Sequence, residues 1–273
     1  MEDFDLDRLD LDRLDLDKSD RITRRIAHGV YRILHNRKVV GEELWGIFGL
    51  LSGGYRLMTE IDLKWPIPNQ QRAQLDLDSA WLTRKLWVQL DLEGKRRVAH
   101  YVPGDGEVEV TIYEEPLRYG DPSRASREQQ LQLSVMTKAK RVYAAKMNYG
   151  PRTFLDYGST LLNFAHLRRL HLTPGAQTQI EAVVVTQPSL EPLALAQTYC
   201  YVRDEQITSL VQPFMITRRY TIEEHIAGDG KDDAPFTTIW TDQHGVVIKQ
   251  DVLLGKETHG CELVSYQWVG EEA

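Results

Sequence analysis

From about Val39 to the C-terminus, the chain is a succession of β-type segments, and this pattern limits it to a mainly β fold. The longest segment, Thr237–Leu254, reads as two strands joined by a tight turn at His244-Gly245. In Tyr55–Trp65, mainly apolar residues alternate with mainly charged ones, as in an antiparallel strand with one buried face. About a dozen strands are predicted, and sheets of that size curl, close or split. We therefore predict a mainly β fold, a large antiparallel meander sheet curled into a half-barrel or open barrel.

One stretch, residues 153–171, departs from the strand pattern. Ser159 is a good N-cap, and Pro174-Gly175 follows as a stop signal. The residues at helical spacing are Leu161, Leu162, Phe164, Ala165, Leu167 and Leu170. The segment Ile22–Leu34 fits either a short helix or the approach to the first strand, and Gly29 disfavours the helix. We expect one or two short helices at the mouth of the curled sheet, where helices commonly act as plugs.

The first twenty residues differ in character from the rest. They repeat a five-residue Leu-Asp unit and hold nine of the 40 acidic residues and three of the 33 basic ones. The repeat fits the period of neither a strand nor a helix, and its high charge predicts a disordered acidic tail at 1–20. It also lacks the Gly-containing loop of a common calcium site. We expect a single curled-sheet domain at 21–273, continuing across the polar loop at 118–130.

Composition excludes several classes of protein. Residues 21–273 hold 31 acidic and 30 basic residues, which gives no basic face for nucleic acid. No segment approaches the roughly 18 apolar residues that span a bilayer, so the chain is not predicted to be membrane-spanning. The N-terminus lacks the layout of a secretory signal, and we expect a cytoplasmic protein. Cys200 and Cys261 are expected to be reduced, buried thiols, with their proximity left open.

No motif in the sequence carries recognisable chemistry. The phosphate-cradling glycine loops and the Gly-x-Ser-x-Gly elbow are absent. The eight histidines are scattered, and His166 and His171, five residues apart, do not share a helix face as a metal pair would. We therefore predict no catalytic residue, no metal site and no cofactor. Arginine pairs recur, and an inward arginine needs either an anionic ligand or an internal carboxylate as its partner.

Four segments carry a resemblance to a known family. They are Gly41–Leu57 (GEELWGIFGLLSGGYRL), Leu161–Gly175 (LLNFAHLRRLHLTPG), Val183–Tyr201 (VVVTQPSLEPLALAQTYCY) and Thr237–Asp251 (TTIWTDQHGVVIKQD). Together they resemble the bacterial family described as glycolipid-binding and, more distantly, the curled sheets of lipoprotein-localisation factors. The chain departs from that family in its N-terminal repeat and in lacking a Thr-Asn-x-Leu-Pro stretch before Arg168-Arg169. The resemblance implies a curled sheet with an apolar cavity, a lipid-like ligand and no catalytic residues.

The leading hypothesis is a non-enzymatic binding protein that holds a lipid or another apolar small molecule inside the curled sheet. Pockets of this kind are mainly apolar, with a few polar anchors. Arg168 or Arg218 is the expected anchor for a headgroup. The residues expected to form the wall or the plug are Trp45, Phe154, Leu161, Leu162, Phe164 and Trp240.

Two other classes of function stay open. The first is an enzyme, an isomerase or hydrolase acting on an apolar substrate. It would be supported by a histidine and a carboxylate that meet inside the sheet, such as His100 or His225 with Glu223 or Asp242. The second is a structural or interaction module, which predicts a well-packed interior and an exposed apolar patch or sheet edge. The contents of the sheet interior distinguish these alternatives, and Trp240 is one residue to inspect.

Overall fold

A computed structural model describes the fold of residues 21–117, 139–225 and 235–270. These residues contain fifteen strands and one helix, α1 (Thr160–Leu170). The strands are β1 (Ile22–His35), β2 (Lys38–Leu50), β3 (Tyr55–Leu63), β4 (Asn69–Leu77), β5 (Thr83–Leu92), β6 (Lys95–Pro103), β7 (Glu107–Pro116), β8 (Lys140–Asn148), β9 (Thr153–Asp156), β10 (Gln177–Val185), β11 (Pro192–Ile207), β12 (Met215–His225), β13 (Phe236–Thr241), β14 (Val247–Leu254) and β15 (Glu257–Trp268). The predicted tail at 1–20 and the predicted loop at 118–130 lie outside the described residues.

All fifteen strands belong to one sheet, in the order β8-β7-β6-β5-β4-β3-β2-β1-β15-β14-β13-β12-β11-β10-β9. Each strand pairs with the next one in the chain, except that β8 does not pair with β9. In addition, β1 pairs with β15. Every pairing is antiparallel apart from β9 with β10. The predicted fold class is therefore confirmed: a large, mainly antiparallel sheet that stays open between its two edge strands.

The sheet curls until its β9 end lies against the inner face of the strands near its β8 end. Tyr101 on β6 donates a hydrogen bond to the carbonyl of Leu190, in the loop between β10 and β11. Gln71 on β4 accepts hydrogen bonds from Tyr157 at 2.8 Å and from Gln187 at 3.1 Å. Leu155 on β9 is fully buried. The two ends of the sheet thus overlap, and polar side chains join them.

Helix α1 lies inside this curl, which explains why its first eight residues are all buried. Strands give the helix contacts from several sides: Asn163 donates to Gln250 on β14 at 3.0 Å, and His166 meets Tyr199 on β11 at 3.0 Å. Ser159 caps the helix as predicted, because its hydroxyl accepts a hydrogen bond from the backbone N–H of Leu161. The helix therefore occupies the space that a hollow barrel would leave for a ligand.

A glycine inside β1 makes room for the largest buried ring. Gly29 is the register partner of Trp45 on β2, and a Cβ at Gly29 would lie 2.7 Å from the Trp45 indole. Trp45 is fully buried and stacks on Tyr31 with ring centroids 5.6 Å apart. Glycine in the middle of a strand often marks such a close approach. Ile22–His35 is thus a strand, and Gly29 has a packing role in it.

Local contacts set several boundaries between elements. Strands β4 and β5 are separate because the Asp78 carboxylate accepts the backbone N–H groups of Ala80 and Leu82 and holds a turn between them. Strand β11 instead continues through a register shift between Tyr201 and Arg203. Residues 153–156 form the short strand β9 rather than part of the helical segment.

The first half of strand β3 is buried on both faces, from Arg56 to Thr59, although its alternating sequence predicted one exposed face. Arg56, on the face expected to be exposed, is only 1% exposed. Its guanidinium makes two hydrogen bonds to the Asp76 carboxylate on β4, at 2.7 and 2.8 Å. Because a buried charge requires a partner of opposite charge, the pairing with Asp76 explains how an arginine is accommodated there.

Candidate ligand site around the buried helix

The N-terminal end of α1 is fixed to a buried carboxylate. Glu43 on β2 is 1% exposed, and its Oε1 accepts hydrogen bonds from the hydroxyls of Thr59 at 2.7 Å and Ser159 at 2.6 Å. The backbone N–H groups of Thr160 and Leu161 also donate to this carboxylate. A carboxylate at a helix N-terminus interacts favourably with the helix dipole. Burial nevertheless raises the pKa of Glu43, and the hydrogen bonds from Ser159 and Thr59 act against that shift.

The C-terminal end of α1 reaches the mouth of the sheet and meets a cluster of aromatic side chains, of which Phe164 is buried and the others are half-buried. The guanidinium carbon of Arg168 lies 5.4 to 6.0 Å from the centroids of Phe164, Trp81 and Trp268. Tyr55 stacks on Trp81, with centroids 4.2 Å apart. Cation–π contacts of this kind contribute about 0.5–2 kcal/mol each, depending on exposure. We call Tyr55, Trp81, Phe164, Arg168 and Trp268 the mouth cluster.

Helix α1 also covers the outer edge of β9. Arg169 donates to the carbonyl oxygens of Pro151 and, at 3.1 Å, Thr153, and a His166 ring nitrogen lies 3.1 Å from the carbonyl oxygen of Leu155. Carbonyl groups of alternate residues point to the same edge of a strand. The contacts with Pro151, Thr153 and Leu155 therefore provide hydrogen-bond partners for successive carbonyl groups along one edge. Uncovered edges invite pairing with other chains. Of the two edge strands, β9 is thereby protected.

His166 gives the buried helix a pH dependence. Burial lowers its pKa from 6.5, the nearby charge of Asp156 opposes this, and Arg169 adds to it. A proton on Nε2 donates to the Leu155 carbonyl, and Nδ1 lies 3.0 Å from the Tyr199 hydroxyl. Because the unfolded chain binds a proton below pH 6.5 more readily than the folded one, stability is fully present above about 6.5 and is lost as pH falls.

We expect His166→Gln to flatten this part of the pH profile. Glutamine can keep both hydrogen bonds and does not titrate. Urea midpoints measured at several values between about pH 7 and pH 5 should fall more steeply in the natural protein, by up to about 1.4 kcal/mol per pH unit. Equal slopes for the two proteins would show that protonation of His166 is not coupled to unfolding.

Most of the residues predicted to form the wall or plug lie together in the interior. None of Trp45, Phe154, Leu161, Leu162 and Phe164 is more than 3% exposed. Phe164 and Arg168 meet in the mouth cluster. Trp240 lies apart from them: Arg219 and Lys249 lie over its ring, and its Nε1 donates to Glu205. Arg218 is exposed on β12. The structure thus assembles six of the eight residues and places the other two elsewhere.

Three of the four residues named for the enzyme alternative, His100, His225 and Asp242, contact their own local neighbours. His100 packs edge-on against Tyr113, and His225 lies 2.9 Å from the Thr198 hydroxyl. The Asp242 carboxylate accepts hydrogen bonds from the N–H groups of His244 and Val246 and from the Tyr266 hydroxyl. This arrangement shapes the turn at Gly245, which was predicted from the sequence.

A groove that was not predicted from the sequence lies where the two ends of the sheet overlap. It has a volume of about 600 Å³ and runs between β8, whose outer edge is unpaired in the described sheet, and the neighbouring part of β9–β11. Its apolar lining is Met147, Ala182, Val183, Ala194, Leu195 and Ala196, and its polar lining is Lys146, Asn148, Thr153 and Glu181. We call it the seam groove. The sequence feature that could have indicated the groove is the run of small apolar residues on β10 and β11. These residues line a groove only because the curled sheet places β8 beside them.

Two further findings bear on the predictions from composition. Cys200 on β11 and Cys261 on β15 are free thiols, as expected, but both are half-buried rather than fully buried. Cys200 and Cys261 lie on strands that are not neighbours in the sheet. Within the described ranges, no helix is both long and apolar enough to cross a bilayer.

Comparison with known proteins gives structural likenesses only. No protein-family model matches the sequence, and no curated protein matches it either. A solved structure of a β-barrel-like protein of the domain of unknown function DUF1849, from Brucella abortus, has a TM-score of 0.55 and 11% identity, covering 91% of this chain and 99% of that one. A DUF1089 family protein from Pseudomonas aeruginosa has a TM-score of 0.43 and 17% identity, covering 76% and 87%. The likeness to the Brucella protein shows that this chain has a β-barrel-like fold.

Proposed function

We propose that the protein is a non-enzymatic binding protein for an apolar or lipid-like small molecule, held in the seam groove. The observation that carries the proposal is the groove itself. Its volume of about 600 Å³ lies in the range of small-molecule sites, about 300–1,000 Å³. Six of its ten lining residues are apolar, and Lys146 and Glu181 supply charge at its border. This combination suits a molecule with an apolar body and a polar end.

The contents of the interior favour the groove over the centre of the sheet. Helix α1 and the residues around it already fill that space, and the helix is fastened by Glu43 at one end and by the mouth cluster at the other. A ligand in the centre would have to displace buried side chains such as Leu161 and Phe164. A ligand in the seam groove meets no such cost, because the groove is open to solvent.

A fluorescent fatty acid titrated into the purified protein tests this proposal. We expect saturable binding that Ala194→Trp weakens about tenfold or more, because the indole fills the groove; tenfold corresponds to about 1.4 kcal/mol. Val102→Trp is the matched control, since Val102 is 45% exposed on β6 and does not line the groove. Absence of saturable binding, or equal affinities in the two tryptophan variants, would overturn the proposal.

A structural or interaction module is the second candidate, favoured by the packed interior. Under this alternative the outer edge of β8, which has no partner strand among the described residues, is the functional feature, because such an edge can accept a strand from a partner. The same titration separates the two candidates. Protein that binds no fatty acid, and yields no copurified lipid in native mass spectrometry, fits the module and not the binding protein.

A further inference from the structure

Two histidines meet where β1 pairs with β15, the strands that come first and last in the chain. His35 ends β1, and His259 is its direct register partner on β15. Trp268 lies at the other end of this strand pair, opposite Ala27, so the histidines lie at the end of the sheet away from the mouth cluster. Glu257, near the turn between β14 and β15, brings a carboxylate to the same place. This is the described sheet's one pairing between strands distant in sequence.

The distances suit a shared metal ion. The Nδ1 atoms of His35 and His259 are 3.4 Å apart. Two nitrogens bound at about 2.0–2.1 Å to one tetrahedral zinc ion are separated by about 3.3–3.4 Å. One ligand atom from each of His35, His259 and Glu257 can be chosen so that all three lie within 4.8 Å of one another. The two rings therefore need little movement to share an ion, and the exposed Glu257 side chain is free to adjust.

Neighbouring groups hold the two rings in place. Trp65 packs on His35 with ring centroids 4.5 Å apart, and the two imidazoles meet edge to face at 4.6 Å. The Nε2 of His259 lies 3.6 Å from a carboxylate oxygen of Glu257. Carboxylates near a ligating histidine commonly orient the ring and raise its basicity. Glu257 can thus act either as a third ligand or as the group that orients His259.

Without a metal, the hydrogen bonds define a particular arrangement of protons. The Asn36 carbonyl oxygen accepts the backbone N–H of Thr258, so its amide nitrogen donates to Nε2 of His35 at 3.0 Å. His35 then carries its proton on Nδ1 and donates it to Nδ1 of His259. An ion bound between the two Nδ1 atoms takes the place of this shared proton, and His35 needs its proton on Nε2 instead. Asn36 opposes that change.

We propose that His35 and His259, with Glu257, form a binding site for a late first-row divalent cation such as Zn²⁺. The bound ion links β1 to β15, the strands that come first and last in the chain. Imidazole nitrogens with a carboxylate are ligands that suit this class of ion. The ion binds the neutral imidazoles, and the proton that it displaces from Nδ1 of His35 moves to Nε2 of the same ring. Its structural effect is to join the β1–β2 hairpin to the β14–β15 hairpin.

Zinc titrated into the full chain by calorimetry, at about pH 7.5, tests the site. We expect one site that His35→Ala and His259→Ala each weaken at least tenfold. A zinc concentration about a hundredfold above Kd should raise the Tm by about 5 °C or more in the natural protein. His225→Ala is the control, because His225 lies on β12 and contacts Thr198. It also reports the background from other histidines and from the acidic residues at 1–20.

Asn36→Asp provides a second and opposite test. An aspartate can still accept the Thr258 N–H and can also accept a proton from Nε2 of His35, so it removes the group that opposes the metal-bound state. We expect zinc affinity to rise about tenfold, and the gain should vanish when His35→Ala is added. Zinc binding or a Tm shift that persists in both single histidine variants, or no binding at all, would overturn the proposal.

Discussion

Replacing Trp45 with alanine should lower the free energy of unfolding by about 3–5 kcal/mol, the range for large core aromatics. Trp45 is fully buried, stacks on Tyr31, and fills the space that Gly29 leaves on the neighbouring strand. The cavity left by the indole cannot collapse easily, because β1 and β2 are held in register along most of their length. Urea unfolding followed by far-ultraviolet circular dichroism measures the effect without depending on tryptophan fluorescence.

Trp240→Ala is the matched control for that experiment. Trp240 is half-buried, and its ring lies between the side chains of Arg219 and Lys249 rather than in the core. We expect a loss of about 1 kcal/mol, as for a partly exposed aromatic with cation–π contacts. If the two variants lost the same stability, the packing of Trp45 against Gly29 would not be a principal source of stability.

Replacing Glu43 with alanine should cost about 3–5 kcal/mol. The change removes the acceptor for the hydroxyls of Thr59 and Ser159, and it removes the charge that the backbone N–H groups of Thr160 and Leu161 help to stabilise. Each buried donor left without a partner costs about 1–3 kcal/mol, and water entering the new cavity offsets part of the total. Hydrogen exchange should show faster exchange in the first turn of α1, since that turn loses its anchor.

Glu43→Gln separates the carboxylate's hydrogen bonds from its charge. Its side-chain oxygen can still accept from Thr59 and Ser159, so the loss of stability should be smaller than for alanine. Burial raises the pKa of Glu43 from 4.5, so the folded protein holds that proton more tightly than the unfolded chain. The stability of the natural protein should therefore fall as pH rises from about 4.5 through the folded-state pKa, and Glu43→Gln should lack this slope. A glutamine variant as unstable as the alanine variant, with an unchanged slope, would contradict this account.

The Glu43 variants also test where a ligand binds. If the seam groove is the site, loosening α1 should leave fatty-acid affinity nearly unchanged, and Ala194→Trp should still weaken it. If Glu43→Ala instead increases uptake, and Ala194→Trp has no effect in that background, the ligand enters the space that α1 occupies. The two sites are thereby distinguished with the same probe.

Local features were predictable where a short stretch of sequence contains the whole cause. The helix after Ser159 was expected from its cap and its apolar spacing, and Thr160–Leu170 confirms it. The hairpin around Gly245 was expected from alternation and a turn signal, and the structure places strands on both sides of it. Strand β3 shows the limit of such reasoning, because alternation marks two faces but does not say that Arg56 will be buried against Asp76.

The candidate sites depended on contacts between residues distant in sequence. His35 and His259 are separated by 224 positions and become neighbours only because β1 pairs with β15. The seam groove likewise requires β8 to lie beside β9–β11. No pattern of hydrophobic spacing encodes which distant strands meet, since backbone hydrogen bonds are the same for every pairing.

Alternation, turn residues and a helix cap each act over a few residues, so they were enough to predict a large curled sheet with one or two short helices. They did not predict that the helix fills the interior, because that depends on contacts between distant segments. That outcome depends on Glu43, on β2, lying beneath the Ser159 cap, 116 positions away. Because α1 fills the centre of the sheet, the open space that we propose for a ligand is the seam groove. Both features depend on contacts between segments that are far apart in sequence.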